Sequence, residues 1–324
     1  MKIYFAPMEG ITTSPFRNAH AAIFKGVNKY YAPFINVTEA KGLSRSEKYD
    51  LSADGNPEFD IREGRLVPQL MGKNPDFLAN AVRGLEMAGY PEVNLNFGCP
   101  SPTVTSRGRG AGILRDPEEV DRLLDGIFLR LDGKISISVK TRIGMEENLM
   151  PQLIQVYNQY PLSEVTVHPR LGNQGYKGSP DLESYGEAAA FSTNSVVYNG
   201  DILKSSDAEA IMTRFPETSA IMIGRGLVMN PALAESILGI AEEGSRMKHF
   251  QDRILRLYRN APADDGGILA RMKELWGFWV RPLEDEDGTL PSRIRKHYKA
   301  LKKSRNMAEY VAASEILMEC IQEA

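Results

Sequence analysis

The chain has 324 residues, 42% hydrophobic and 25% charged, which supplies a full core and excludes global disorder; at this length one large domain plus a smaller one is expected. The net charge of −3 conceals an asymmetry, because residues 245–324 hold 15 Lys and Arg against 12 Asp and Glu, net +3, leaving 24 against 30, net −6, for residues 1–244. No apolar run approaches the roughly 20 residues that span a bilayer, and the opening MKIYFAPMEG meets acid and glycine too early for a signal peptide, so a soluble, cytoplasmic chain is expected.

Short β-rich runs alternate with amphipathic helices along the first part of the chain. The strand candidates are 2–8, 30–38, 65–72, 92–98, 134–144, 164–170, 195–201 and 220–226. A helix is expected after Asn74-Pro75, with Phe77, Ala81, Leu85 and Ala88 inward and Gly89 as its stop. Asp116-Pro117 opens another, where Val120, Leu123, Leu124, Ile127, Phe128 and Leu131 share one face at helical spacing. Asn230-Pro231 opens the last helix of this series. Eight such units over about 240 residues fit a parallel α/β (β/α)8 TIM barrel better than an open doubly wound sheet. From residue 245 strands vanish, and helical patterns near 246–260, 267–280, 292–304 and 306–322 predict a small all-α bundle. The expected division is therefore a barrel over 1–244 and a helical domain over 245–324.

The chemistry of a barrel collects at the C-terminal ends of its strands, and here those ends are polar. Residues two apart in a strand share a face, so Asn94/Asn96, Lys140/Arg142 and His168/Arg170 form three pairs that aim amides and cations inward from neighbouring walls. Burying such cations without partners costs several kcal/mol, which favours a bound anion or polarised ligand. An ion pair with a barrel carboxylate is the alternative, Glu9 and Asp201 being the obvious ones at these ends. The last two strands run into Asn199-Gly200-Asp201 and Gly224-Arg225-Gly226, the loops where barrels hold phosphate through backbone N–H groups and a nearby cation.

Cys99 lies just past a strand end, whereas Cys320 falls on an apolar face with Val311, Leu317 and Ile321. Two cysteines and four scattered histidines are too few for a disulfide framework or a metal cage, so no metal is expected. A thiol at its ordinary pKa of about 8.5 is mostly protonated at neutral pH and can donate a proton. The stretch SRGRGAGI over 106–113 is glycine-rich and is expected to be a flexible lid. Pro291–Ala308 carries Arg293, Arg295, Lys296, Lys299, Lys302, Lys303 and Arg305 with no acid, a density suited to a polyanion or to a solvated helix face.

Together APMEG at 6–10, Gln69 in VPQLMG, NLNFGCPSPTV around Cys99, SVKTRIG around Lys140, VHPR around His168, YNGDI from Tyr198 and IGRG ending at Gly226 resemble the tRNA-dihydrouridine synthase family over nearly the whole chain. That resemblance implies an FMN-binding barrel, a helical domain that grips tRNA, and reduction of selected uridines at the C5–C6 bond with NADPH (or NADH) as reductant. Cys99 matches the catalytic cysteine, giving its proton to C5 while hydride goes to C6. Pro7, Met8, Glu9, Gln69, Lys140, His168, Asn199, Gly200, Asp201, Gly224 and Arg225 match the flavin site. Asn96, Arg142 and Arg170 are candidate contacts to the substrate nucleotide, and Arg293, Arg295, Lys296 and Lys299 to its backbone. The chain departs from the family pattern at Pro169-Arg170 and at Tyr198, where smaller residues are common. The modified tRNA position and the oligomeric state are left open. Two rivals stand beside this reading: an FMN barrel reducing a small molecule, and a noncatalytic RNA-binding homologue.

Overall fold

The computed structural model describes residues 1–38, 43–132, 134–241 and 246–323. Its centre is one parallel sheet of β1 (Lys2–Phe5), β2 (Lys29–Tyr31), β3 (Ile35–Asn36), β4 (Leu66–Val67), β5 (Gln69–Met71), β6 (Glu92–Phe97), β7 (Ser136–Arg142), β8 (Val165–His168), β9 (Val196–Asn199) and β10 (Ala220–Ile223). The order β3-β5-β6-β7-β8-β9-β10-β1-β2-β4 closes on itself. Tyr30 and Tyr31 of β2 pair with Leu66 and Val67 of β4, and Ile35 of β3 pairs with Leu70 of β5. Two of the eight expected strands are thus each split in two. Pro33 and Pro68 sit at the breaks, and a residue without an N–H cannot extend a ladder on that side. Counting each split pair as one wall gives the eight walls of a TIM barrel.

Period-two alternation sorts each strand between two cores. In β6, Val93, Leu95 and Phe97 join the apolar layer between cylinder and helices. Tyr4, Ala6, Tyr31, Val67, Val197, Ala220 and Met222 form a second apolar cluster. They fill the bore on the β9-β10-β1-β2-β4 side. The walls β5 to β8 fill the rest with polar groups in register, Gln69 beside Asn94, Asn94 beside Ser138, Asn96 beside Lys140, and Arg142 beside His168.

The capping signals are used as read, but the helix after Asn74 buries Leu78, Ala79, Val82 and Leu85; of the residues expected inward besides Leu85, Phe77 and Ala81 are half-buried and Ala88, just past the helix end, is exposed. Asn74 Oδ1 accepts from Phe77 N at 3.0 Å to cap Pro75–Met87, and Gly89 follows that helix at φ +97°. Asp116 accepts from Glu118 N at 2.9 Å to cap Pro117–Phe128. Asn230 accepts from Ala232 N, but the helix itself runs Leu233–Leu238, two residues later than its proline. The C-terminal region forms Met247–Asn260, Asp265–Trp279, Ser292–Lys303 and Met307–Gln322. Phe250 meets Phe16 and Phe24 edge-on at 5.3 Å, anchoring this region to the barrel, and a buried Gln251, Trp276 and Tyr310 triad ties its helices together. The expected boundary after Gly244 lies outside the described residues. Cys320 is buried with Leu317, whereas Val311, expected on the same face, is exposed.

The 106–113 stretch is not a lid. Gly110–Arg115 forms a 3-10 turn whose first five residues are buried. Gly110, at φ +54°, lies where a Cβ would come 2.7 Å from the Cys99 carbonyl oxygen, and a Cβ on Gly112 would come 2.5 Å from that of Thr105. Close backbone approach, not mobility, is why glycine is needed there. Ala111 N donates to Cys99 O at 2.9 Å, so the segment braces the Cys99 loop from beneath.

Candidate active site

The C-terminal mouth of the barrel opens into a cavity of about 430 Å³ lined by Pro7, Met8, Glu9, Asn96, Cys99, Lys140, Arg142, His168, Asn199, Gly200, Asp201, Gly224 and Arg225 among others. Each comes from a strand end or the loop after it, so the parallel register collects groups from positions 7 to 225 on one rim. Thirteen of the residues singled out in sequence are brought together here.

Lys140 is half-buried on the β7 wall and has no hydrogen bond or ion pair among the described residues. Burial, then repulsion from Arg142, pushes its ammonium down to about 7. Arg142 is 2% exposed and already engaged: its Nε donates to Gly98 O at 3.0 Å and its Nη1 to Leu171 O at 2.8 Å. It therefore ties the loop after β6 to the loop after β8.

Arg170 does not line the cavity. Its guanidinium, 1% exposed, donates to both carboxylate oxygens of Asp201 at 2.9 and 2.5 Å and to Gly178 O. Arg225 reaches the same Asp201 carboxylate at 2.5 Å. Burial favours the neutral carboxyl of Asp201, but Arg170 and then Arg225 outweigh it and hold the group below its ordinary value. Within this cluster two guanidinium groups share one carboxylate, a local excess of positive charge.

Arg170 Nη1 lies 3.2 Å from His168 Nε2. Arginine only donates, so Nε2 accepts and the ring proton belongs on Nδ1. Burial, with the charges of Arg142, Lys140, Arg170 and Arg225, keeps this histidine well below its ordinary range, and hence neutral. The ring faces Tyr176, which also carries the Arg225 guanidinium 4.2 Å above its face.

Asn96 Oδ1 accepts from Gly98 N at 3.0 Å and Cys99 N at 2.9 Å, which fixes the turn that presents the thiol. Burial, the largest influence, and the nearby Glu9 raise the Cys99 pKa, while a backbone hydrogen bond to Ser101 and the cations Arg142 and Lys140 oppose them. The net shift is upward, so the group remains a thiol at neutral pH. Gln69 stands one layer below the cavity, donating to Asn94 Oδ1 at 2.7 Å and accepting from Asn96 Nδ2 at 2.8 Å. Met8 N donates to Thr12 Oγ1 at 2.8 Å, which pins the loop after β1. Tyr198, the departure on β9, is accommodated because a Cβ on Gly200 would overlap its phenol.

Sequence reasoning missed Tyr176, Glu274 and Phe278 on the cavity wall. Glu274 and Phe278 are four apart on Asp265–Trp279, so they share one helical face, but only the tertiary packing turns that face to the barrel. Arg293, Arg295, Lys296 and Lys299 are not on the cavity wall. All four are exposed on Ser292–Lys303, and Arg293 pairs with Glu323 at 2.5 Å. No His, Cys, Asp and Glu grouping among the described residues forms a metal site, and no described helix is long and apolar enough to cross a membrane.

The fold is shared with solved structures of low sequence identity: a morphinone reductase N189A mutant in complex with tetrahydroNAD (TM-score 0.53, 10% identity, covering 77% of this chain and 90% of that one), and a histamine dehydrogenase from Rhizobium sp. 4-9 (TM-score 0.53, 9% identity, covering 86% and 49%). At full length the chain is similar to the tRNA-dihydrouridine(16) synthase of Salmonella typhimurium (34% identical, covering 98% of this chain and 100% of the relative) and to that of Shigella flexneri (29%, covering 98% and 99%). The family described as dihydrouridine synthase (Dus) matches residues 4–257. The match spans the barrel and runs into the first C-terminal helix, and on that extent the chain belongs to the Dus family.

Proposed function

We propose that this chain is a tRNA-dihydrouridine synthase, reducing the C5–C6 bond of a uridine in tRNA, with Cys99 as the proton donor and FMN as the bound cofactor. The names of its full-length relatives support uridine 16 as the target. The observation that carries the reading is the Cys99 thiol on the rim of a cavity that also presents Lys140, Arg142 and Arg225, in a chain of this family.

The residues present fit an anionic flavin. Lys140 is an unpartnered amine on a cavity wall, and the Arg170, Asp201 and Arg225 cluster leaves a positive charge beside Gly200 and Gly224. Gly224 lines the cavity beside Arg225 and has no side chain to cover its backbone. Pro7, Met8, Glu9, His168 and Asn199 complete the pocket. Gln69 acts from behind, through Asn96, and Arg170 acts by orienting Asp201. When bound, FMN reduced by NADPH (or NADH) supplies the hydride for uracil C6.

Cys99 holds a proton at Sγ for uracil C5, and its raised pKa keeps that proton in place until carbanion character develops at C5. Lys140, protonated, stabilises negative charge on the bound cofactor. Asn96 has used one of its two amide N–H groups on Gln69 and has the other for the substrate base. Arg142 holds the rim loops in register. The target base must leave its stack to reach this depth, and Arg295, Lys296 and Lys299 neutralise tRNA phosphates outside the cavity.

Cys99→Ala is the test: flavin content and tRNA affinity stay at wild-type level while dihydrouridine formation falls by at least about 100-fold, the range of one general acid. Unchanged turnover removes Cys99 from the reaction. Failure to bind tRNA even at low salt favours a small-molecule reductase instead.

A further inference from the structure

A continuous line of buried hydrogen bonds runs through the bore from its floor to the cysteine loop. Lys29 Nζ lies 2.7 Å from Glu92 Oε2. Ser138 Oγ donates to Glu92 Oε1 at 2.7 Å, and Asn94 Nδ2 donates to Ser138 Oγ at 2.9 Å. Gln69 Nε2 donates to Asn94 Oδ1 at 2.7 Å, and Asn96 Nδ2 donates to Gln69 Oε1 at 2.8 Å. The line ends where Asn96 Oδ1 accepts the backbone N–H groups of Gly98 and Cys99. Ser138, Asn94 and Gln69 are wholly buried, and Asn96 and Glu92 are 7% exposed, so no bulk water substitutes for a lost partner.

Both ends of this line are chemically one-way. A carboxylate paired with Lys29 only accepts, and backbone N–H groups only donate. The groups between them are hydroxyl and amides, each able to present either polarity, and only one arrangement satisfies both ends. Reversing it would turn the Ser138 proton away from Glu92, flip Asn94, Gln69 and Asn96 in turn, and set an Asn96 NH2 against two N–H donors. Each such mismatch leaves a buried polar group facing its own kind with no partner.

We propose that Glu92, Ser138 and Asn94 form a polarity relay that locks the Asn96 amide and thereby fixes the Cys99 turn, making Ser138 a positioning residue for proton donation. The role of Cys99 in the proposed function underlies this relay. Ser138 is on the wall that carries Lys140, two residues deeper, and reaches Cys99 only through three intervening side chains. Its removal leaves Cys99 chemically intact while Asn94 Nδ2 loses its buried acceptor and the orientation of Asn96 is set from the cysteine-loop end alone, so the effect falls on the step that uses the thiol.

The experiment follows the two half-reactions of the flavin-loaded protein. Ser138→Ala is expected to slow reoxidation of the reduced flavin by unmodified tRNA by at least tenfold, with NADPH-dependent flavin reduction and tRNA Kd within threefold of wild type. The pH profile of reoxidation should change shape in its thiol-dependent limb. Ser138→Thr, which restores the hydroxyl, should recover most of the rate. Ser138→Cys, close in volume but a weak donor, should lose at least fivefold, and it serves if the alanine variant does not fold. Wild-type reoxidation in Ser138→Ala, equal losses in both half-reactions, or no recovery with threonine each overturn the relay. Cys99→Ala is run alongside: if it too reoxidises at the wild-type rate, the donor assignment falls and the relay with it. If only Cys99→Ala is impaired, the relay alone is wrong.

Discussion

Lys29→Met isolates the charge cluster at the floor of the barrel. Lys29 Nζ bridges Glu92 at 2.7 Å and Glu164 at 3.0 Å, and the three side chains are 22, 9 and 11% exposed. Tyr4 and Tyr31 donate to the same Glu164 carboxylate at 2.5 and 3.3 Å, and the ammonium lies 5.2 Å from the Tyr4 ring centre. Removing one member of a buried ion pair strands its partner and costs about 3–5 kcal/mol; the residual exposure of Lys29 puts the expectation at the lower end, about 3 kcal/mol. Guanidinium unfolding followed by far-UV circular dichroism measures it. The pH dependence gives an independent reading. Burial lowers the Lys29 pKa, but Glu92 and then Glu164 outweigh it, so the folded value lies above the ordinary 10.5. A raised lysine pKa means a contribution fully present below pH 10.5 and lost as pH rises through the folded value. Wild type should lose stability over that alkaline window more steeply than Lys29→Met. A cost below about 1 kcal/mol, the range of exposed pairs, would refute the reasoning.

Lys140 has its pKa near 7 without ligand, so FMN affinity of the apoprotein should weaken as pH rises above 7, by up to about tenfold per unit, because only the protonated amine attracts the anion. Lys140→Met should bind more weakly and lose that slope; a slope unchanged in the variant refutes the assignment. Gly200→Ala should destabilise the fold and impair FMN retention because its Cβ overlaps Tyr198, and adding Tyr198→Val should restore much of both; no rescue would mean that the overlap is not the cause. Arg295→Ala with Lys299→Ala should weaken tRNA binding and flatten its log–log salt dependence by roughly 0.7 to 0.9 for each phosphate no longer neutralised, while an unchanged slope would take that helix out of the RNA interface.

The walls of the barrel were legible because polar and apolar residues alternate at period two, and that alternation named Asn96, Lys140, Arg142 and His168 on the cavity rim, while Pro7 and Met8 were named by the family resemblance alone. Pro33 and Pro68 were equally visible, yet their consequence was not: whether a proline ends a strand or merely pauses it depends on the neighbouring ladder. The glycines at 108, 110 and 112 misled, since glycine serves close packing as readily as mobility, and at 110 and 112 only the Cys99 and Thr105 backbones lying against them separate the two. Arg170 was read as a substrate contact because its spacing from His168 aims it inward, but for Arg170 the alternative holds, an ion pair with Asp201 31 residues away, and only the packed barrel decides between the two. Glu274 and Phe278 reach the cavity for a reason of the same kind, as the packing of Phe250 on Phe16 and Phe24 swings the C-terminal helices over the barrel mouth.

The central claim is tested most directly by incubating the purified chain with FMN, NADPH and an unmodified tRNA transcript and analysing the digested nucleosides by mass spectrometry. A uridine heavier by two hydrogens, mapped to one position and absent with Cys99→Ala, is the predicted result. A protein that stays colourless with added FMN, or a flavin-loaded protein that leaves every uridine unreduced, would contradict the account.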